Sequence, residues 1–233
     1  MKPYVTVGLI ALMTYIFYED VFLPNDICIR PNRNLTGWGR GLGSGRGLFS
    51  FGRRQDPDPT DVFGFLVTAF GSALTHGDTM HLYYNMLSFL HKSVQLESQW
   101  GSTKLAVYLV LLVVLCNILY IVLAISIDNF FGISTGCAVG WSAVIFALKV
   151  VCQANSREDT AVVNGFGRVP AAAAAWIELF LISLATPNAS FVGHLAGILA
   201  GLLVVGIEKT AVARRLSLLF DEADGRAARR GRN

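Results

Sequence analysis

Residues 104–127, KLAVYLVLLVVLCNILYIVLAISI, form an apolar run long enough to cross a bilayer, which takes about 20 predominantly apolar residues. Hydropathy marks three further runs in the second half of the chain, at roughly 139–153, 170–186 and 191–208. Residues 4–23 are also apolar. A signal peptide with Lys2 as its basic start is the competing reading of that stretch. No small-x-small cleavage site follows it, and Tyr18, Glu19 and Asp20 come next, so an uncleaved span is expected. A sixth span, about 79–97, is less apolar because it carries His81, Asn85, His91 and Lys92.

Between the first two spans, residues 24–60 are rich in Gly, Arg, Asp and Pro and read as an exposed loop. Residues 61–75, DVFGFLVTAFGSALT, lead into polar His76, Gly77 and Asp78 and suggest an interfacial or partly inserted segment. The expected fold class is an all-α membrane protein, one bundle of six transmembrane helices with a long first loop. The expected division is a first span at 1–23, a lumenal loop with its interfacial segment at 24–78, a core of five spans at 79–208, and a basic cytosolic tail at 209–233. Loops between the later spans are expected to be short.

Composition agrees with this class. The chain is 53% hydrophobic and 15% charged, whereas soluble domains carry about 25% charged residues. The net charge of +3 matters less than its placement, since seven of nineteen Lys and Arg residues fall from Lys209 onward. Six spans put both termini on one side. Lys2, Lys92, Lys104, Lys149, Arg157, Arg168 and the tail then face, or snorkel toward, the cytosol, against six Arg residues in the first loop. That asymmetry favours an N-in orientation. Nucleic acid is a poor partner for these residues, because no soluble module exists to position them. Among Cys28, Cys116, Cys137 and Cys152 there is no metal-ligand spacing, so no metal and no cofactor is expected. Cys116 reads as a buried hydrophobe, and Cys28 and Cys137 share a compartment in which a disulfide is possible.

Polar residues inside a membrane are costly and are functional candidates by default. Gly140-Trp141-Ser142-Ala143 opens the fourth span. A small residue before the serine lets the backbone approach a substrate, and a serine at a helix start has free N–H groups around it for a developing oxyanion. An isolated Gly-x-Ser is more often a simple N-cap. Gly193-His194-Leu195-Ala196-Gly197 lies in the sixth span, where Gly193, Gly197 and Gly201 recur every four residues and make a flat packing face. Ser142 lies 13 residues before Asn155, where the chain turns polar, and His194 lies 14 before Glu208. At ~1.5 Å per residue both sit about 20 Å above the cytosolic boundary. A serine and a histidine at matched depth are what base-activated nucleophilic catalysis requires. His81 and Asn85 share a helix face at i, i+4 and are candidate oxyanion donors, with His76 beside them; interhelical glue is the bland alternative.

These residues resemble the rhomboid family. The resemblance rests on Gly140-x-Ser142 opening the fourth span, His194 in a glycine-rich sixth span, His76, His81 and Asn85 around the second, and Glu97 and Gly101 in LESQWG after it. It covers about residues 60–208. CAVGWSAVIFALK and FVGHLAGILAGL look most like the rhomboid-related branch of the endoplasmic reticulum. The resemblance implies an intramembrane serine endopeptidase acting on transmembrane protein substrates in the lipid bilayer. It implies a Ser142–His194 dyad without an aspartate, with Asn85, His81 and the Ser142 N–H as oxyanion donors. It also implies a multi-pass location in the endoplasmic reticulum membrane. Two positions depart from the family pattern: Phe146 stands where a tyrosine often stacks on the histidine, and Trp38-Gly39-Arg40 matches the first-loop Trp-Arg signature only loosely.

Two other classes compete. A catalytically inactive, derlin-like client-binding protein would lack the dyad that this chain retains. A small transporter could run protons through His, Asn and Glu178, but no inverted repeat is visible. Asn34-Leu35-Thr36 is a glycosylation sequon in the first loop, and residues 128–139 are expected to line water access to Ser142.

Overall fold

The computed structural model describes residues 2–21, 62–133, 135, 138–163, 166–186 and 189–208. Cys28, Asn34, Trp38, Cys137, the first-loop arginines and the tail lie outside the described residues. Seven α-helices are described: α1 (Tyr4–Tyr18), α2 (Val62–Leu74), α3 (Thr79–Trp100), α4 (Ser102–Phe131), α5 (Ser142–Asn155), α6 (Ala171–Ala185) and α7 (Phe191–Glu208). By length and composition, α4 and α7 are apolar enough to cross a membrane; α1, α5 and α6 are shorter apolar helices.

Three expectations need correction. The chain is not purely helical: Thr160–Val163 (β1) and Gly167–Pro170 (β2) pair antiparallel between α5 and α6, with Val162 opposite Arg168. The helix of the expected fourth span, α5, starts at Ser142, not 139, because Gly140 has φ +105°, which no right-handed helix accommodates. Lys149 does not extend out to solvent; it is 8% exposed and ion-paired to Glu178 of α6. The segment expected at the interface is helix α2.

The core is built on the contact of α5 with α7. A Cβ at Gly197 would overlap the carbonyl oxygen of Ala143, and one at Gly201 would lie 2.7 Å from that of Ala147. Only glycine at these two positions lets the backbones meet, which is the small-residue packing used where apolar burial gives no preference between helix and lipid. Around this pair, α3 and α4 bury Leu82, Phe89, Leu96, Leu105, Leu109 and Leu112. Between α3 and α4 the chain turns at Gly101, φ +86°.

Glu97, 1% exposed, holds α1 in place. Its carboxylate accepts from the Val5 and Thr6 amides at 2.9 and 3.0 Å and from the Thr6 and Ser102 hydroxyls, each at 2.6 Å. Two of the orphan N–H groups that every helix start carries are thereby satisfied by a charge from another helix.

Candidate active site

Ser142 is the first residue of α5, and its neighbouring amides are those with no intrahelical acceptor. The chain reaches it through Gly140, whose N–H donates to the Ser72 carbonyl of α2 at 2.8 Å. His194 sits one turn into α7. That turn is fixed by Ser190, whose hydroxyl accepts from the Gly193 N–H at 3.1 Å and whose carbonyl accepts from the His194 N–H at 3.0 Å. Close packing of α5 on α7 then brings the side chains together: Ser142 Oγ lies 3.0 Å from His194 Nε2.

His194 is 5% exposed and Ser142 half-buried. The Nδ1 of His194 has no hydrogen-bond partner among the described residues, so no carboxylate orients the imidazole. Phe146, one turn below Ser142, does so by stacking, with centroids 4.7 Å apart and planes 29° apart. A hydroxyl at that position is not needed for the stack.

His81 approaches from α3. A Cβ at Gly140 would lie 2.7 Å from its Cε1 and 2.8 Å from its Nε2, so the ring edge rests on bare backbone two residues before Ser142. The Gly77 N–H donates to His81 Nδ1 over a long 3.4 Å. With Nδ1 accepting, the ring proton sits on Nε2, on the edge facing Gly140. Asp78 caps α3 by accepting from the His81 N–H at 2.8 Å. Asn85, 6% exposed, donates one amide hydrogen to the His81 carbonyl at 2.8 Å, which leaves the second free to act elsewhere. His76, 2% exposed, meets the His81 ring edge-on at 5.2 Å. Burial, aided by neighbouring His81, pushes its imidazole down to about 3.

The structure thus gathers Ser142, His194, Phe146, Gly140, His81 and His76, with Asn85 one turn farther along α3. Asp78, Gly77 and Ser190 were missed by sequence reasoning. Asp78 and Ser190 were findable, each being an N-cap residue just ahead of a helical pattern. Of the loop expected to admit water, residues 134, 136 and 137 lie outside the described residues. Among the described residues no group of His, Cys, Asp and Glu could hold a metal ion.

The family profile described as Rhomboid domain matches residues 64–209, which takes in every one of these side chains. The chain belongs to the rhomboid family. Mouse rhomboid-related protein 4 is 41% identical over 135 residues, 57% of this chain and 42% of the mouse protein. Rhomboid-like protein 14, mitochondrial, of Arabidopsis thaliana is 40% identical over 143 residues, 60% of this chain and 42% of that protein. Rhomboid-like protein 15 of the same plant is 32% identical over 143 residues, 59% and 36% of the two chains. The match covers less than half the length of each relative. With its rhomboid domain and apolar helices, this chain is an integral membrane protein similar to the rhomboid-related protein 4 branch.

Proposed function

We propose that this rhomboid is an intramembrane serine endopeptidase that cuts transmembrane helices with a Ser142–His194 dyad. The observation that carries the reading is the 3.0 Å approach of Ser142 Oγ to His194 Nε2 across two helices. In the first step Oγ bonds to the scissile carbonyl carbon while its proton passes to Nε2. Negative charge gathers on the carbonyl oxygen, where the Ser142 N–H, the Nε2–H of His81 and the free Asn85 amide hydrogen are its donors. The peptide C–N bond then breaks, and the proton on His194 goes to the leaving amine. Water attacks the acyl ester, gives its proton through His194 back to Oγ, and releases the new carboxylate.

Six spans (α1, α3, α4, α5, α6 and α7) with both termini cytosolic complete the proposal, as do a lumenal first loop and a basic cytosolic tail. The endoplasmic reticulum membrane is the proposed site, on the likeness to rhomboid-related protein 4. Substrates are single-span proteins, cut near the lumenal end of their span. A membrane helix hides its carbonyls in its own hydrogen bonds, so glycine or proline near the cut favours the reaction by weakening the helix.

The test is co-expression with a panel of single-span proteins, comparing wild type with Ser142→Ala. A fluorophosphonate probe should label the wild type and not Ser142→Ala. Absence of labelling and of cleavage in the folded wild type would favour a client-binding role instead.

A further inference from the structure

The hairpin between α5 and α6 has two unlike faces. Val163 and Val169, 1% and 5% exposed, pack with Ala174 on α6, and Ala161, Ile177 and Leu181 border the cluster. The opposite face carries Val162, 61% exposed, directly across from exposed Arg168. Phe166, 62% exposed, follows the same pattern at the turn, where its N–H donates to the Val163 carbonyl at 3.0 Å. A soluble hairpin needs only the inner face to be apolar. Here the outer face places a valine and a phenylalanine beside an arginine.

Continuity says what covers that face. β1 begins five residues after α5 ends, and β2 runs directly into α6 at Ala171. The hairpin cannot leave the level at which α5 ends and α6 starts. Along α6, Trp176, Phe180 and Leu184 form an exposed stripe at four-residue spacing. Tryptophan collects at the headgroup level of a bilayer, and Trp176 is at the height of the Ala174–Ile177 turn on which the hairpin packs. Hydrocarbon itself is excluded as the occupant, because the outer edges of a two-stranded sheet would leave amides and carbonyls unpaired there.

We infer that the outer face of the hairpin beds into the headgroup layer of the cytosolic leaflet. Val162 and Phe166 enter the boundary with the acyl chains, and Arg168 pairs with lipid phosphate. This rests on the proposal that α6 spans the membrane. Arg157, Glu158 and Asp159 stay on the aqueous side, where they precede β1. The hairpin then acts as a float that sets the height of the first turn of α6.

An environment-sensitive fluorescent amino acid at position 166, or separately at 180, tests this in the full chain reconstituted in phospholipid vesicles. Emission at 166 should be blue-shifted and quenched most by a nitroxide near the headgroup, whereas 180 should be quenched most by one near the acyl-chain end. Arg168→Glu should shift the 166 emission toward that of water and reduce its lipid quenching. Water-like emission at 166, quenched by iodide but not by lipid, with 180 still lipid-quenched, overturns the hairpin's placement alone. Blue emission at 166 insensitive to both quenchers means that protein covers the face, and also overturns it. Loss of lipid quenching at both positions overturns it together with the spanning of α6.

Discussion

Gly140→Ala tests the site without touching either member of the dyad. Two penalties fall on the added methyl. At φ +105° an alanine is held in a region that L-residues rarely adopt, which costs about 1–3 kcal/mol. The Cβ also meets the Cε1 of His81 at 2.7 Å, where carbon–carbon contacts settle at about 3.5–4.0 Å, so the ring must retreat by roughly 1 Å. A displacement of that size at a reacting centre costs on the order of 100-fold in rate, close to deletion of one oxyanion donor at about 2.7–4 kcal/mol. The assay is cleavage of a single-span substrate in vesicles, read beside the thermal unfolding midpoint. A double variant with His81→Ala separates the two penalties, because it removes the clash and leaves the strain. It should cleave no more slowly than His81→Ala alone. If Gly140→Ala cleaves at near the wild-type rate, the contact of His81 with this backbone has no part in the chemistry.

Ser142→Ala should abolish cleavage with the unfolding midpoint little changed, and adding His194→Ala should lower the rate no further, since the two act as a unit; a clearly additive loss would refute the dyad. Lys149→Met should destabilise the bundle by leaving Glu178 unpaired, at about 3–5 kcal/mol for a fully buried pair and less here because the Glu178 side chain is 24% exposed. Lys149→Met with Glu178→Leu should recover most of that loss in the same thermal assay. Because burial holds His76 at about 3 in the folded chain against its ordinary 6.5, the unfolded state binds the extra proton first. Its contribution to stability is complete above about pH 6.5 and is lost as pH falls toward 3, and His76→Asn should flatten that part of the stability profile.

Much of this site was legible because membranes make polar residues conspicuous. Ser142 and His194 could be matched by counting residues to the polar boundary, since helix rise is constant and the two helices run in the same direction. The 3.0 Å contact follows from what the count could not show: Gly197 and Gly201 let α7 rest against α5. Lys149 was misread for the complementary reason. Hydropathy locates a charge along its own helix but not the neighbour that meets it, and Glu178 lies 29 residues away in the chain. The hairpin escaped notice although TAVV and GRVP flank Asn164-Gly165-Phe166, which opens on a strong turn signal. Four-residue strands are too short to compete with apolar runs in a hydropathy reading.

The grip of Glu97 on α1 has a consequence for how the first helix changes over time. Thr6, Met13 and Ile16 are its buried residues, and its firmest attachment is made at its start, where Glu97 accepts from two backbone amides and from the Thr6 hydroxyl. A neighbour that holds amides does not distinguish one side chain from another, and Thr6 alone adds a side-chain bond to that grip. Substitutions on the exposed face of α1, at Tyr4, Val7, Leu12 and Tyr15, should therefore drift freely, even as its height and its starting point stay put. The matched domain begins only at residue 64. Relatives can carry a first helix of quite different spelling in the same berth, provided that a carboxylate waits where the helix begins.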